Sequence, residues 1–164
     1  MINFESLPAN ILTPLTPLFD RISPDTAMEQ LVVTQGADEE ICELVENIIT
    51  ENTIFLKFAP LKAGLWLYVD ELDRSHQVSQ GIDDSTGSFW HGIMHRREGD
   101  FSNSHYWFRR AGFHPVIEQI PEYEPHEFID AVAEGRNGNR NALRDLQRSE
   151  WITLFSWCAN IASK

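Results

Sequence analysis

The sequence predicts an all-α protein, either a single-domain helical bundle or a short right-handed array of helical hairpins over residues 1–164, with an extended proline-rich arm at residues 1–25. Three observations lead there. Apolar residues recur at three- and four-residue spacing in successive segments, and no stretch alternates with period two and β-branched enrichment. The hydrophobic content of 42% over 164 residues is enough for one well-filled core.

The elements follow in order. Pro8, Pro14, Pro17 and Pro24 remove backbone donors and fix φ, so residues 1–25 are expected to run extended around the body. From Ala37 to Glu51, Ile41, Leu44, Val45, Ile48 and Ile49 share one helical face, with Asp38, Glu39 and Glu40 at the positive helix start. A second helix is expected from about Pro60 to Ser79, where Leu61, Leu65, Tyr68 and Leu72 form a stripe beside Trp66, Val69, Asp73 and His76. Gly81 ends it. A third helix, about Ser88 to Glu98, turns at Gly99-Asp100 into a fourth, about Ser102 to Gly112, which Pro115 stops. Pro125 suits a first helical turn, Phe128, Ile129 and Val132 give a short stripe, and Gly135 closes it. The segment GRNGNRN reads as a flexible loop, and a last helix from about Asn141 to Ala162 carries Leu143, Leu146, Leu154, Phe155, Cys158 and Ile161.

Charge narrows the partners. The net charge is −12, and residues 1–60 hold ten Asp and Glu against Arg21 and Lys57, a surface that repels phosphate backbones, so nucleic-acid binding is not expected. The start MINFESLPAN lacks a signal-peptide pattern and the longest apolar run, Ala63 to Val69, is too short to span a bilayer, so the expectation is a soluble cytoplasmic protein with no membrane partner. Cys42 and Cys158 lie inside apolar helical patterns and read as buried reduced thiols.

Chemistry concentrates between Ser88 and Pro115, SFWHGIMHRREGDFSNSHYWFRRAGFHP, with four of the six His and four of the ten Arg. Part of it resembles a tetratricopeptide-type helical hairpin, through Gly92, Gly99-Asp100-Phe101, Ser104, Phe108, Ala111 and Pro115. The match covers about 28 residues, with the proline one position early and no second copy, so the resemblance implies a hairpin and not a solenoid. The string HGIMHRREGDFSN…YWFRR is also similar to the signature of a widespread family of uncharacterised bacterial and fungal proteins, which implies a shared site and no particular activity. In a hairpin of this kind His91 and His95 face the second helix, putting imidazoles in the packing layer.

His91, His95 and Glu98, spaced i, i+4 and i+7, project from one helical face, and with Asp73 and His76, one turn apart on the preceding helix, they suit a divalent metal such as Zn, Mn or Fe. The bland reading is a satisfied polar core. A ligand pocket is expected from His76, Tyr106, Arg97 and Arg109, the arginines clamping a small anion, with salt bridges to Glu98, Asp100 or the acidic arm as the competing use. Trp90, Tyr106 and Trp107 can wall such a pocket or fill the core. Asp73 with His76, or Glu98 with His95, can act as an acid/base pair on water. No nucleophile elbow, phosphate loop or dinucleotide fingerprint occurs. The expected function is binding of a small anionic ligand or metal in a His/Arg/carboxylate pocket, with metal-assisted hydrolysis as one use, and the alternative is a non-catalytic helical module that binds a protein partner.

Overall fold

A computed structural model of the chain describes residues 4–135 and 139–164. Among these residues there are nine α-helices, two single 3-10 turns and no strand, so the fold is all-α. The helices are α1 (Ala9–Arg21), α2 (Glu39–Glu51), α3 (Thr53–Lys57), α4 (Ala59–Tyr68), α5 (Leu72–Ser79), α6 (Ser85–Glu98), α7 (Phe101–Ala111), α8 (Pro125–Ala133) and α9 (Arg140–Ala162). No helix among the described residues is long and apolar enough to cross a membrane. Arg136, Asn137 and Gly138 of the expected flexible loop lie outside the described residues.

Much of the arm is helical instead of extended. Pro14 and Pro17 sit inside α1, on its half-buried and exposed sides, while Ile11, Leu15 and Leu18 on the opposite stripe are completely buried. Each interior proline costs about 3 kcal/mol, and each fully buried aliphatic side chain contributes about 1.5–3 kcal/mol, so three buried side chains offset two prolines. Phe19 adds a ring contact to Tyr68.

Helix α2 starts at its Asp38 cap, whose carboxylate accepts from the Ile41 N–H, and buries Ile41, Val45, Ile48 and Ile49. The single helix expected from Pro60 to Ser79 is broken at Val69–Glu71 into α4 and α5. Asp70 there has φ of 63°, a left-handed conformation that Asp tolerates better than most residues. Its carboxylate accepts from Arg97 and from Gln30 Nε2, which explains why the corner is worth making.

Helix α6 is the centre of the molecule. Every residue from Gly87 to Arg97 is buried, because α4, α5 and α7 all pack against it. Gly99, with φ of 87°, turns the chain, and Asp100 caps α7 by accepting from the Asn103 N–H. Across the hairpin Ser104 Oγ donates to the Gly92 carbonyl at 2.7 Å. A Cβ on Gly92 would lie 2.7 Å from Phe108 Cδ2, inside the closest approach of real carbon pairs. Gly92→Ala is therefore expected to force the buried Phe108 ring aside at a cost of about 1–3 kcal/mol, read as a lower urea midpoint with the helical spectrum retained. A stability within about 0.5 kcal/mol of the parent, the scatter of neutral substitutions, would show that the ring moves freely.

Helix α9 packs on α4 and α8. Leu154, Phe155 and Cys158 are buried as expected, whereas Ile161 is exposed and Gln147, Arg148 and Glu150 are buried in its place. The reason is charge: Glu150 pairs bidentately with the fully buried Arg96, at 2.8 and 2.7 Å, and accepts from the Tyr123 hydroxyl. Arg96 also lies 4.0 Å over the Phe128 ring. Of the two free cysteines, Cys158 is buried and its thiol is pushed up to about 12 by burial, while Cys42 is only half-buried.

His114 is also interior. Its Nδ1 accepts from the Val116 N–H, which puts the ring proton on Nε2, 3.1 Å from Thr86 Oγ1. Burial lowers its pKa, opposed by the Asp84 charge. The unfolded imidazole, near 6.5, takes a proton first as pH falls, so this contribution is complete above about pH 6.5 and is lost below it, at up to about 1.4 kcal/mol per pH unit. His114→Gln is expected to flatten the fall in urea stability between pH 7.5 and 5.5. An unaltered slope would assign that fall to other groups.

Candidate functional site

Three histidines converge where α5 and α6 pack together and α7 covers them. His91 and His95 stand one turn apart on α6, and α5 brings His76 against both, with ring centroids 4.6 Å from His91 and 5.6 Å from His95. One nitrogen of each ring can be chosen so that the three lie within 4.8 Å of one another. Trp107 of α7 stacks flat on His91, with centroids 3.9 Å apart and planes 9° from parallel. This stacking holds His91 in place.

The electrostatics favour neutral rings. Burial pushes the His91 imidazole down to about 4, helped by its histidine neighbours, and burial likewise lowers His95 against the opposing pull of Glu98. Neutral imidazoles offer lone pairs. Yet His91 Nδ1 is buried without a hydrogen-bond partner among the described residues, and His95 Nδ1 has only the Glu98 carboxylate near it. An orphaned buried polar atom costs about 1–3 kcal/mol, so the unpartnered His91 nitrogen is a costly feature of a purely structural polar core. Glu98 Oε2 stands 3.6 Å from His95 Nδ1, and His95, Glu98 and Asp100 form a second group whose potential ligand atoms also lie within 4.8 Å.

The residues expected from the sequence are divided by this arrangement. His76, His91 and His95 come together, with Glu98 beside His95. His76 stands with the two α6 histidines, one of the two places expected for it. Asp73 is exposed on α5 and is not among the residues whose ligand atoms converge. Arg97 does not face the cluster: its fully buried guanidinium donates to the Leu67 carbonyl at 2.6 Å, to the Gln30 carbonyl and to Asp70. Residues two positions apart on a helix point about 200° apart, which turns Arg97 away from His95. The same geometry on α7 turns Arg109 away from Trp107 and leaves it exposed, while Arg110, about one turn on, lies over the Trp107 ring at 5.4 Å. Tyr106 is half-exposed and accepts from Arg110. The sequence marks Asp100 as a turn residue and a salt-bridge partner for the arginines, and its place near His95 follows from the Gly99 turn.

A protein-family model, a curated protein or a solved structure matching this chain is found in none of the three comparisons. The chemistry of the site therefore rests on its geometry.

Proposed function

We propose that the protein binds a divalent first-row transition metal, zinc by preference, through His76, His91 and His95, and that the metal activates a water molecule for hydrolysis. The observation that carries this reading is the convergence of three imidazole nitrogens within 4.8 Å in a mostly buried setting. His76, His91 and His95 would hold zinc, and the ion would supply a bound water made more acidic than in bulk. Glu98 would serve as the orienting carboxylate: it would leave the other nitrogen of the His95 ring for the ion by accepting from His95 Nδ1–H. Its 3.6 Å separation from that nitrogen needs only a small side-chain rotation to become a hydrogen bond.

Elemental analysis of untagged protein, dialysed against micromolar zinc, tests the reading. One tightly held equivalent is expected, and it should be lost in His76→Ala, a half-buried position, with the helical spectrum retained. A folded protein that takes up no zinc, manganese, iron, cobalt, nickel or copper would reduce the histidines to a polar core and favour the protein-interaction reading.

A further inference from the structure

A second feature adjoins the histidines. A cavity of about 230 Å³ lies in the groove between the C-terminal end of α5 and the N-terminal end of α6, walled by Trp107 and Arg110 of α7. The three histidines do not line it, but Ser79 and Ser88, which do, stand one helical turn from His76 and His91 respectively, so the cavity lies beside the histidines along both helices. Trp107 is shared: it lines the cavity and stacks on His91.

The polar groups there are largely uncommitted. The Ser88 hydroxyl makes no hydrogen bond among the described residues although the residue is only 6% exposed. Arg110 rests on the Trp107 ring and donates to Tyr106 Oη at 3.5 Å, and no ion pair joins it to a described carboxylate. The Asp83 carboxylate is likewise unpaired among the described residues, whereas Asp84 is occupied in capping α6 through the Gly87 N–H. The cavity thus offers one guanidinium, the hydroxyl of a buried serine and one unpaired carboxylate. Its volume falls below the roughly 300 Å³ at which drug-sized pockets begin, which limits an occupant to a small metabolite. Two aspartates at its rim repel a dianionic phosphate, and each face of the indole is engaged or edged by protein, which leaves no open platform for a sugar ring.

We infer that this cavity is the substrate subsite of the histidine centre and takes a small molecule carrying both a carboxylate and an ammonium group. The carboxylate meets Arg110 and Ser88, and the ammonium meets Asp83. The inference rests on the metal-binding reading for the word substrate, while the recognition chemistry belongs to the cavity alone.

The test follows the Trp107 indole N–H by NMR, assigned with Trp107→Phe, during titration of zinc-loaded and zinc-free protein with 4-aminobutyrate, butyrate and butylamine. 4-Aminobutyrate holds its two groups too far apart to strip zinc as a compact chelate. It is expected to shift the indole resonance and to bind more tightly than either singly charged control. Arg110→Ala should weaken it at least tenfold, and Asp83→Asn should reduce it to the affinity of butyrate, with zinc content unchanged in both because both residues are exposed. Equal binding of the three probes, unchanged affinity in both variants, or no shift in protein that holds zinc would overturn the subsite and leave the metal reading standing. Selective binding of 4-aminobutyrate with this variant pattern in protein that never takes up zinc would support the subsite and overturn the metal reading.

Discussion

Replacing Arg96 with methionine is expected to destabilise the protein by about 3–5 kcal/mol, a larger loss than Gly92→Ala brings. The guanidinium is completely buried and forms both hydrogen bonds of a fork to Glu150, which is itself completely buried and also accepts from Tyr123. Methionine fills most of the volume and can still touch Phe128, so little of the loss comes from packing. What remains is a carboxylate without its cation in the interior, and that is the source of the cost. The double variant Arg96→Met/Glu150→Gln removes the stranded charge and is expected to recover a substantial part of the loss. Urea unfolding of the parent, the two single variants and the double gives the coupling directly. Additive losses would mean that Glu150 finds another partner or a proton at little cost.

Zinc is expected to raise the melting temperature by about 8–16 °C when its free concentration is about a thousand times the dissociation constant. Ligand binding to the native state alone contributes about 4.1 kcal/mol at that ratio, and in a chain of this size each kcal/mol moves the midpoint by about 2–4 °C. The gain arises because the converging nitrogens exist as a set only in the folded state, where α5 and α6 are packed together. His91→Gln and His76→Ala should each remove most of the shift. Their metal-free melting temperatures separate loss of the ion from loss of packing, which matters most for His91 because of its contact with Trp107. A parent midpoint that does not respond to zinc would sink the metal reading, and an equal rise in both variants would place the ion elsewhere.

Elements with one buried face are the ones legible in the sequence. Helix α2 shows its apolar stripe because one face meets the core and the other meets solvent, and its Asp38 cap sits where residue chemistry puts it. Helix α6 has no stripe to read, since it is buried all round and carries His, Arg and Ser inward as well as Phe, Trp and Ile. Its turn residues mark its place instead. Helix α1 is hidden by its prolines, a local signal that three buried aliphatic residues overrule, and the corner at Asp70 is hidden because its cause is an arginine 27 positions away. In the site, the i, i+4 spacing of His91 and His95 is enough to put both on one face. Choosing between Arg109 and Arg110 is not a matter of residue type. It needs the rotational phase of α7, which the stack of Trp107 on His91 sets.

Arg97 finally matters in a way its distance from the histidines conceals. It grips the corner between α4 and α5 through the Leu67 carbonyl and Asp70, and that corner sets the direction in which α5 leaves. His76 rides on α5, one turn past its start. Thus α6 supplies two of the three imidazoles from one side and, from its other side, anchors the joint that aims the third. The spacing among the rings is governed by a single helix acting as a common datum, so a change that relaxes the joint would alter how the three nitrogens converge without touching any of them.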